Sequence, residues 1–123
     1  MTEGADKFHV VVAVGAESQL SSLVPLGCRL AAGRGGRITL VTVTHDGKRP
    51  AWLAAPKACG DVAVGIEVRQ GYDAAAEVLA VLRENPADLL ILGWRGKASS
   101  GRHLIGRTVD PLVQQAPCDV IAV

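Results

Sequence analysis

Aromatic residues and net charge are both scarce in this sequence. Phe, Trp and Tyr together make up 3% of its 123 residues, and the formal net charge at pH 7 is +1. A dedicated nucleic-acid binder needs a strongly basic surface, and a protein that stacks single-stranded bases needs aromatic platforms. The composition therefore argues against nucleic acid as a partner.

Long apolar runs and cysteine motifs are lacking as well. Residues 9–16, the longest apolar run near the start, are too short to cross a bilayer and have no basic flank like that of a signal peptide. The three cysteines, Cys28, Cys59 and Cys118, are widely separated and contain no C-x-x-C pair. We expect reduced thiols that serve as small core side chains, and hence a cytoplasmic protein without membrane insertion.

Aliphatic side chains are plentiful, since 49% of the residues are hydrophobic and 20% are charged. Such a chain can bury a core, and its length suits one domain over residues 1–123. Apolar runs and alternating patterns predict strands over residues 10–14, 38–43, 62–69, 89–92 and 118–123. The strict alternation in residues 62–69 favours the edge of a sheet.

Apolar residues at helical spacing separate most of these strands. One helix is predicted between residues 18 and 32, where we expect Pro25 to kink it or confine its regular part to the residues that follow. Another begins after Asp73, which is a suitable N-cap, and closes at Asn85. Its predicted inner face consists of Ala75, Val78, Leu79 and Leu82.

The remaining segments complete an alternating order of strands and helices. A last helix is predicted from Gly106 to about Ala116, whereas prolines in residues 44–61 allow only one or two helical turns. Alternation of this kind predicts an α/β domain with a parallel sheet, right-handed crossovers and helices on both faces. Ligands of such sheets bind beyond the carboxyl ends of the strands, where the strand order reverses.

A glycine-containing loop in residues 93–108 concentrates positive charge. It follows a predicted strand, leads into a helix and contains no acid, but it carries Arg95, Lys97, Arg102 and Arg107. Glycines let backbone N–H groups approach a ligand closely, and a helix N-terminus attracts anions, so the loop suits a phosphate. A solvated loop whose glycines serve turn geometry explains the same pattern. A Walker A loop is excluded, because Ala98 follows Gly96 and Lys97.

The spacing of the glycines gives the sequence a family resemblance. The pattern Gly93-x2-Gly96-x9-Gly106, then a helix, then A-P-C-D-V-I-A-V over residues 116–123, resembles the universal stress protein (UspA-like) family. The resemblance covers nearly the whole chain. It implies a Rossmann-like three-layer sandwich, with a five-stranded parallel sheet of order 3-2-1-4-5 and, in this chain, a shortened second helix.

The resemblance also implies an adenine nucleotide, such as ATP, AMP or a cyclic nucleotide, as a ligand over strands one and four. Gly93 and Gly96 would wrap the phosphates, Gly106 would present a helix N-terminus to them, and the Val43 backbone would contact the adenine. The matching positions are Gly15, Val43, Gly93, Arg95, Gly96, Lys97, Gly106, Arg107 and Thr108.

Two positions depart from the family pattern. Gly15, followed by Ala16, stands where the nucleotide binders usually have an Asp that contacts the nucleoside. Arg107 stands where they have Ser or Thr, with Thr108 one place later. The first change should weaken nucleoside recognition. The second keeps the attraction for phosphate but alters its geometry.

The terminal strand is the expected site of assembly. The resemblance implies a homodimer, commonly formed through this strand, which would expose unpaired backbone groups at the sheet edge. The interface would comprise Cys118, Asp119, Val120, Ile121, Ala122 and Val123. A short edge strand left exposed is the other interpretation.

No catalytic or metal-binding constellation is evident. His9, His45 and His103 lie in separate elements without ligand spacing, so we expect no metal site. We therefore expect a non-catalytic, nucleotide-binding sensor or regulatory protein of the stress response. The alternative is a dimerisation or interaction domain that binds no nucleotide and regulates a membrane transporter or another partner. Trp52, in the shortened region, would then mark a partner surface, unless that region is repacked locally.

Overall fold

The computed structural model describes residues 8–54, 59–93 and 111–123, and it contains a single five-stranded sheet. The elements in chain order are β1 (His9–Ala13), α1 (Glu17–Gly33), β2 (Arg37–Thr44), β3 (Ala63–Gln70), α2 (Ala74–Glu84), β4 (Leu89–Leu92), α3 (residues 111–115) and β5 (Asp119–Ala122). All strands are parallel and their order is β3-β2-β1-β4-β5. The fold class, the strand order and the edge position of β3 are thus confirmed.

The chirality of the crossovers explains the three layers. The path from β1 to β3 moves across the sheet in one direction, and the path from β3 to β5 moves in the other. Right-handed crossovers therefore put α1 on one face and both α2 and α3 on the opposite face. Every residue of β1 and β4 is buried, as expected for central strands covered on both sides.

Helix α1 continues through Pro25, so the expectation that its regular part would follow the proline is wrong. The helix spans 17 residues, and Pro25 lies on its exposed side. Apolar burial on both sides of Pro25 offsets the missing backbone hydrogen bond. The approach of α1 to the sheet is close at Gly27, where an added Cβ would lie 3.0 Å from Val12 Cγ2.

Helix α2 forms as predicted and is clamped to the edge strand. Asp73 accepts a hydrogen bond from the Ala76 N–H at 3.1 Å, and the predicted inner-face residues are buried. Arg69 of β3 pairs with Glu84 at 2.9 Å, with Glu67 at 3.0 Å and with Glu77 at 3.3 Å. Arg69 lowers the pKa of Glu84 by donating hydrogen bonds to its carboxylate. The charged face of β3 is thereby covered by α2.

The structure contains a disulfide, so the expectation of three reduced thiols is wrong. Cys28 of α1 and Cys59 form a disulfide with their Cα atoms 5.3 Å apart, and Cys118 is a half-buried free thiol whose pKa burial raises. The two bonded cysteines are 31 residues apart in the sequence, so no local motif indicates that they form a disulfide. Chain folding alone brings them together, and the cysteine pattern no longer indicates a reducing compartment.

The shortened region covers the α1 face of the sheet by local repacking. Its described residues form turns at 51–52 and 60–61 and a 3₁₀-helical residue at 59, and residues 55–58 lie outside the described part. Leu53 is buried, and half-buried Trp52 packs with it against the same core cluster. Trp52 is therefore part of the covering layer and not a free partner surface.

A buried histidine joins the amino ends of three strands. The His9 side chain is 1% exposed, and its Nδ1 contacts the Pro86 carbonyl oxygen at 3.0 Å. A carbonyl only accepts, so Nδ1 carries the proton and Nε2 accepts from the Thr39 hydroxyl at 2.8 Å and from Arg37 at 3.3 Å. Burial and the Arg37 charge lower the pKa of His9, against smaller raising effects from Pro86 and Asp88.

We expect this histidine to make the stability of the fold depend on pH. The folded-state pKa of His9 lies below its ordinary value of 6.5, so the unfolded chain binds the proton more tightly. The free energy of unfolding should have its full His9 contribution above pH 6.5. That contribution should disappear as the pH falls from 6.5 through the folded-state pKa.

Urea unfolding between pH 5 and pH 8 measures this dependence. The His9→Gln variant should be less stable at pH 8 and should lose the part of the slope that His9 supplies. A slope equal to that of the wild type would contradict the assignment. His45→Gln, a variant of an exposed histidine, serves as the control.

The disulfide should contribute about 3–4 kcal/mol to stability, because closing a loop of this length restricts the unfolded chain. The double variant Cys28→Ala/Cys59→Ala should lose about that amount in urea unfolding, and Cys118→Ala should lose much less. Alkylation in denaturant should add one group per chain without reductant and three with it. Three groups without reductant would show that the bond does not form.

Candidate functional site

A step in the sheet defines the candidate site. At their carboxyl ends β1 and β4 stop together, with Ala13 paired to Leu92 and to Val41 of β2. The β2–β3 pair continues three residues farther, to Thr44 and Gln70. At about 3.3 Å per residue, β2 and β3 project roughly 10 Å beyond the floor formed by β1 and β4. The strand order also reverses at β1, so the step lies where such folds bind ligands.

The backbone of Val43 faces this step. The Val14 N–H donates to the Val41 carbonyl at 2.9 Å, so Val41 directs its backbone groups toward β1. Strand alternation directs the groups of Val43, two residues later, the same way. The pairing of β1 with β2 ends at Val41, so the Val43 N–H and C=O lie beyond the last paired residue of β1. One donor and one acceptor are thus aimed over the floor.

The first turn of α1 forms the near side of the site. Gly15 is exposed, and its N–H donates to Gln19 Oε1 at 2.6 Å. The N-cap residue Ala16 has no side chain to accept from the helix N–H groups. Sequence reasoning missed Gln19, whose signal was its position four residues after Gly15. Its carboxamide occupies the carboxyl end of β1, where an acidic side chain is lacking.

Two aromatic rings form the rim of the projecting wall. His45 follows β2, Tyr72 follows β3, and their ring centroids are 4.9 Å apart with an interplanar angle of 36°. One backbone and one side-chain hydrogen bond join the two loops: the Gly71 N–H donates to the Thr44 carbonyl at 3.0 Å, and Gln70 Nε2 donates to the His45 carbonyl at 3.1 Å. Sequence reasoning missed this pair; its signal was the only tyrosine, directly after a strand.

Asp46 directly follows His45 in the loop after β2. Its carboxylate accepts from the Lys48 N–H at 2.9 Å, which is the main cause of its lowered pKa. The Thr44 hydroxyl oxygen is buried, and within the described residues it has no hydrogen-bond partner at 3.5 Å or less.

The other predicted positions are only partly described. Gly93 is buried directly after β4, at the floor of the step. The predicted positions outside the described residues are Arg95, Gly96, Lys97, Gly106, Arg107 and Thr108.

The terminal strand β5 forms the second edge of the sheet and pairs with β4 over its whole length. The Val123 N–H extends this pairing by donating to the Leu92 carbonyl at 2.9 Å. In the predicted interface, Asp119, Ala122 and Val123 are exposed, and Cys118, Val120 and Ile121 are half-buried. Dimerisation through this edge stays a prediction.

The described part of the chain contains neither a metal-binding cluster nor a membrane-spanning helix. Its histidine, cysteine and acidic side chains form no group of three or more that could hold a metal ion. None of its helices is both long and apolar enough to span a membrane.

A universal stress protein of Mycolicibacterium smegmatis is 35% identical over 65 residues, covering 51% of this chain and 50% of that protein. The chain thus matches about half the length of this curated relative.

Solved structures share the fold at lower identity. A universal stress protein in complex with cAMP superposes with a TM-score of 0.72 at 23% identity, covering 95% of this chain and 96% of that one. UspA from Lactobacillus plantarum gives a TM-score of 0.67 at 17% identity, with coverages of 95% and 97%.

The family model described as the universal stress protein family matches residues 51–123, which is more than half of the chain. The matched segment includes β3, α2, β4, α3 and β5. The chain therefore belongs to the universal stress protein family.

Proposed function

We propose that this protein is a non-catalytic sensor or regulator that binds an adenine nucleotide at the step in the sheet. The base lies against the projecting end of β2, the ribose lies over the floor near Gly15, and the phosphates reach the glycine loop that begins at Gly93. ATP, AMP and cyclic nucleotides are the candidate ligands.

The observation that carries this proposal is the outward-facing backbone of Val43. Its N–H and C=O lie beyond the last β1–β2 pair and offer one donor and one acceptor to the edge of a base. Adjacent parallel strands are about 4.8 Å apart, so β2 and β4 lie roughly 10 Å from each other across β1. A nucleotide bridges that distance with its base at one strand and its phosphates beyond the other.

The electrostatics of the loop favour a phosphorylated ligand. Arg95, Lys97, Arg102 and Arg107 give residues 93–108 four positive charges and no negative one. A structurally similar universal stress protein has been solved in complex with cAMP, which supports a nucleotide as the ligand class. Gly15 supplies no carboxylate to the ribose, so most of the affinity must come from the phosphates and the base.

The assembly and the location of the protein follow as further proposals. We infer a homodimer in which the exposed edge of β5 pairs with a second copy, because an unpaired edge strand otherwise leaves its backbone groups to water. A cytoplasmic location stays a prediction that the cysteines no longer support, since Cys28 and Cys59 form a disulfide. Size-exclusion chromatography with light scattering, repeated on Val120→Pro, tests the dimer.

Purified protein should release an adenine nucleotide on heat denaturation, identified by mass spectrometry. The same nucleotide at 100 times its dissociation constant should stabilise the protein by about 2.7 kcal/mol in thermal unfolding. Gly106→Val should raise the dissociation constant more than tenfold, because a branched side chain obstructs the approach of phosphate to the loop backbone.

Gly33→Val is the matched control. Gly33 is the last residue of α1, near the amino end of β2 and thus at the end of the sheet opposite to the site, and no atom lies within 4 Å of an added Cβ. This variant should bind as the wild type does. Protein that is empty and does not bind ATP, AMP or cyclic nucleotides at millimolar concentration would refute the proposal. The transporter-regulating interaction domain would then be the function to test.

A further inference from the structure

We propose that the Cys28–Cys59 disulfide is a site of reversible exchange with small anionic thiols, which enter a cavity beside α1 and open the bond in the folded protein. Exchange at this bond is independent of nucleotide binding and goes beyond the proposed function. It would give the disulfide a second role besides the stability that it contributes.

A cavity of about 380 Å³ gives small molecules access to the bond. It lies along one side of α1, and both bonded cysteines line it. Cys28 and Cys59 are otherwise buried, with 9% and 7% of their surface exposed. At about 30 Å³ per water molecule in the liquid, the cavity has room for a molecule the size of roughly a dozen waters. It therefore admits a thiol of a few heavy atoms but not a folded protein.

The lining of the cavity favours one sign of charge on the entering thiol. Four of the α1 side chains that line it are apolar, and Arg29 is the one charged residue among the described residues of the lining. Arg29 is exposed and forms no salt bridge with a described carboxylate. Its positive charge therefore attracts an anionic group on the thiol and repels a cationic one.

Thiol–disulfide exchange needs no reactant other than the entering thiol. Its thiolate attacks one sulfur of the bond, the S–S bond breaks, and the electron pair leaves with the other cysteine as a thiolate. A second thiol molecule attacks the mixed disulfide, releases the remaining cysteine and departs as the small-molecule disulfide. Two electrons and two protons thus pass from two thiols to Cys28 and Cys59, and an oxidised small-molecule disulfide reverses the reaction.

The third cysteine lies too far away to take part. Cys118 packs against the apolar cluster between the sheet and α2, whereas Cys28 and Cys59 belong to the cluster between the sheet and α1. The sheet separates the two clusters, so Cys118 cannot attack the mixed disulfide within the folded chain. Reduction and reoxidation therefore return the same pair of cysteines.

Opening the bond loosens the segment between β2 and β3 from α1. Within this segment, Arg49 Nε donates to the Leu53 carbonyl oxygen at 2.8 Å, and the Leu53 N–H donates to the Pro50 carbonyl oxygen at 3.0 Å. The bond from Gln70 to the His45 carbonyl ties the segment to β3. No hydrogen bond between described residues joins it to α1. After exchange, apolar packing alone holds the segment on the α1 face.

Urea separates exchange in the folded protein from exchange after unfolding. Oxidised protein is incubated with 2-mercaptoethanesulfonate, quenched with acid, alkylated in denaturant and analysed by mass spectrometry. The rate of reduction should be proportional to the thiol concentration and should change less than about twofold between no urea and about 1 M urea. Exposure of the bond by global unfolding would accelerate reduction by at least about fivefold per molar of urea. Such an acceleration would overturn the proposal.

The charge of the thiol tests the role of Arg29. The rate constants of anionic 2-mercaptoethanesulfonate and cationic cysteamine are compared after correction for their thiolate fractions. Arg29→Gln should lower the ratio of the anionic to the cationic rate constant by about threefold. Arg83→Gln, the matched control, removes an exposed charge from α2 on the opposite face and should leave the ratio unchanged. An unchanged ratio in Arg29→Gln would refute the preference for anionic thiols.

Tryptophan fluorescence reports what opening the bond does to the segment. In Trp94→Phe the one remaining tryptophan is Trp52, which packs against the α1-face cluster. Reduction should shift its emission to longer wavelength and increase quenching by acrylamide, while circular dichroism shows that the helices remain. The same protein with Cys28→Ala/Cys59→Ala should show this emission with or without thiol. Unchanged emission and quenching on reduction would refute the loosening of the segment.

Discussion

The unequal length of neighbouring strands is the constraint on which the rest of the structure depends. Strand β1 is buried on both faces and pairs on both edges, so it can hold a ligand only beyond its end. It stops at Ala13, and the chain turns at Gly15 into α1. Because β2 and β3 continue past this point, the ends of β1 and β4 form the floor of the site, and the projecting ends of β2 and β3 form its wall.

The two faces of the sheet are stabilised by different means. On the α2 face, apolar burial is supplemented by Arg69, whose carboxylate partners attach the edge strand to the helix. On the α1 face, the Cys28–Cys59 disulfide joins α1 to the short segment between β2 and β3. A covalent link compensates for the apolar area that so short a segment cannot bury. The disulfide thereby holds this segment against the α1 face of the sheet, where it covers β2 and β3.

Local patterns in the sequence predict the helices and strands. They do not predict the contacts between residues that are far apart in the sequence. The apolar run at Leu89–Leu92 and the cap at Asp73 are local signals, and both elements form where expected. The disulfide, the His9 network and the His45–Tyr72 pair each join residues at least 27 positions apart. Pro25 does not confine α1 to the residues after it, because burial of the helix against the sheet outweighs the free-energy cost of a proline inside a helix. At the site, the family resemblance predicts Gly15 beyond the end of β1 and Gly93 at the floor, while the wall residues are visible only once β2 and β3 are paired.

The missing acid at Gly15 changes how the site can discriminate between ligands. A carboxylate beside a ribose contributes charged hydrogen bonds, which depend on sugar hydroxyls. Gln19, which already accepts from the Gly15 N–H, leaves only a neutral amide at that place. In the proposed function, selectivity would therefore shift from the sugar to the two ends of the ligand, where the cationic loop would meet phosphate and the Val43 backbone would meet the base. Attraction of the positive loop for phosphate weakens as salt rises, whereas neutral hydrogen bonds to a base edge are much less sensitive to ionic strength. A site built in this way would recognise its ligand by the distance between a phosphate and a base edge, which the separation of β4 and β2 would set.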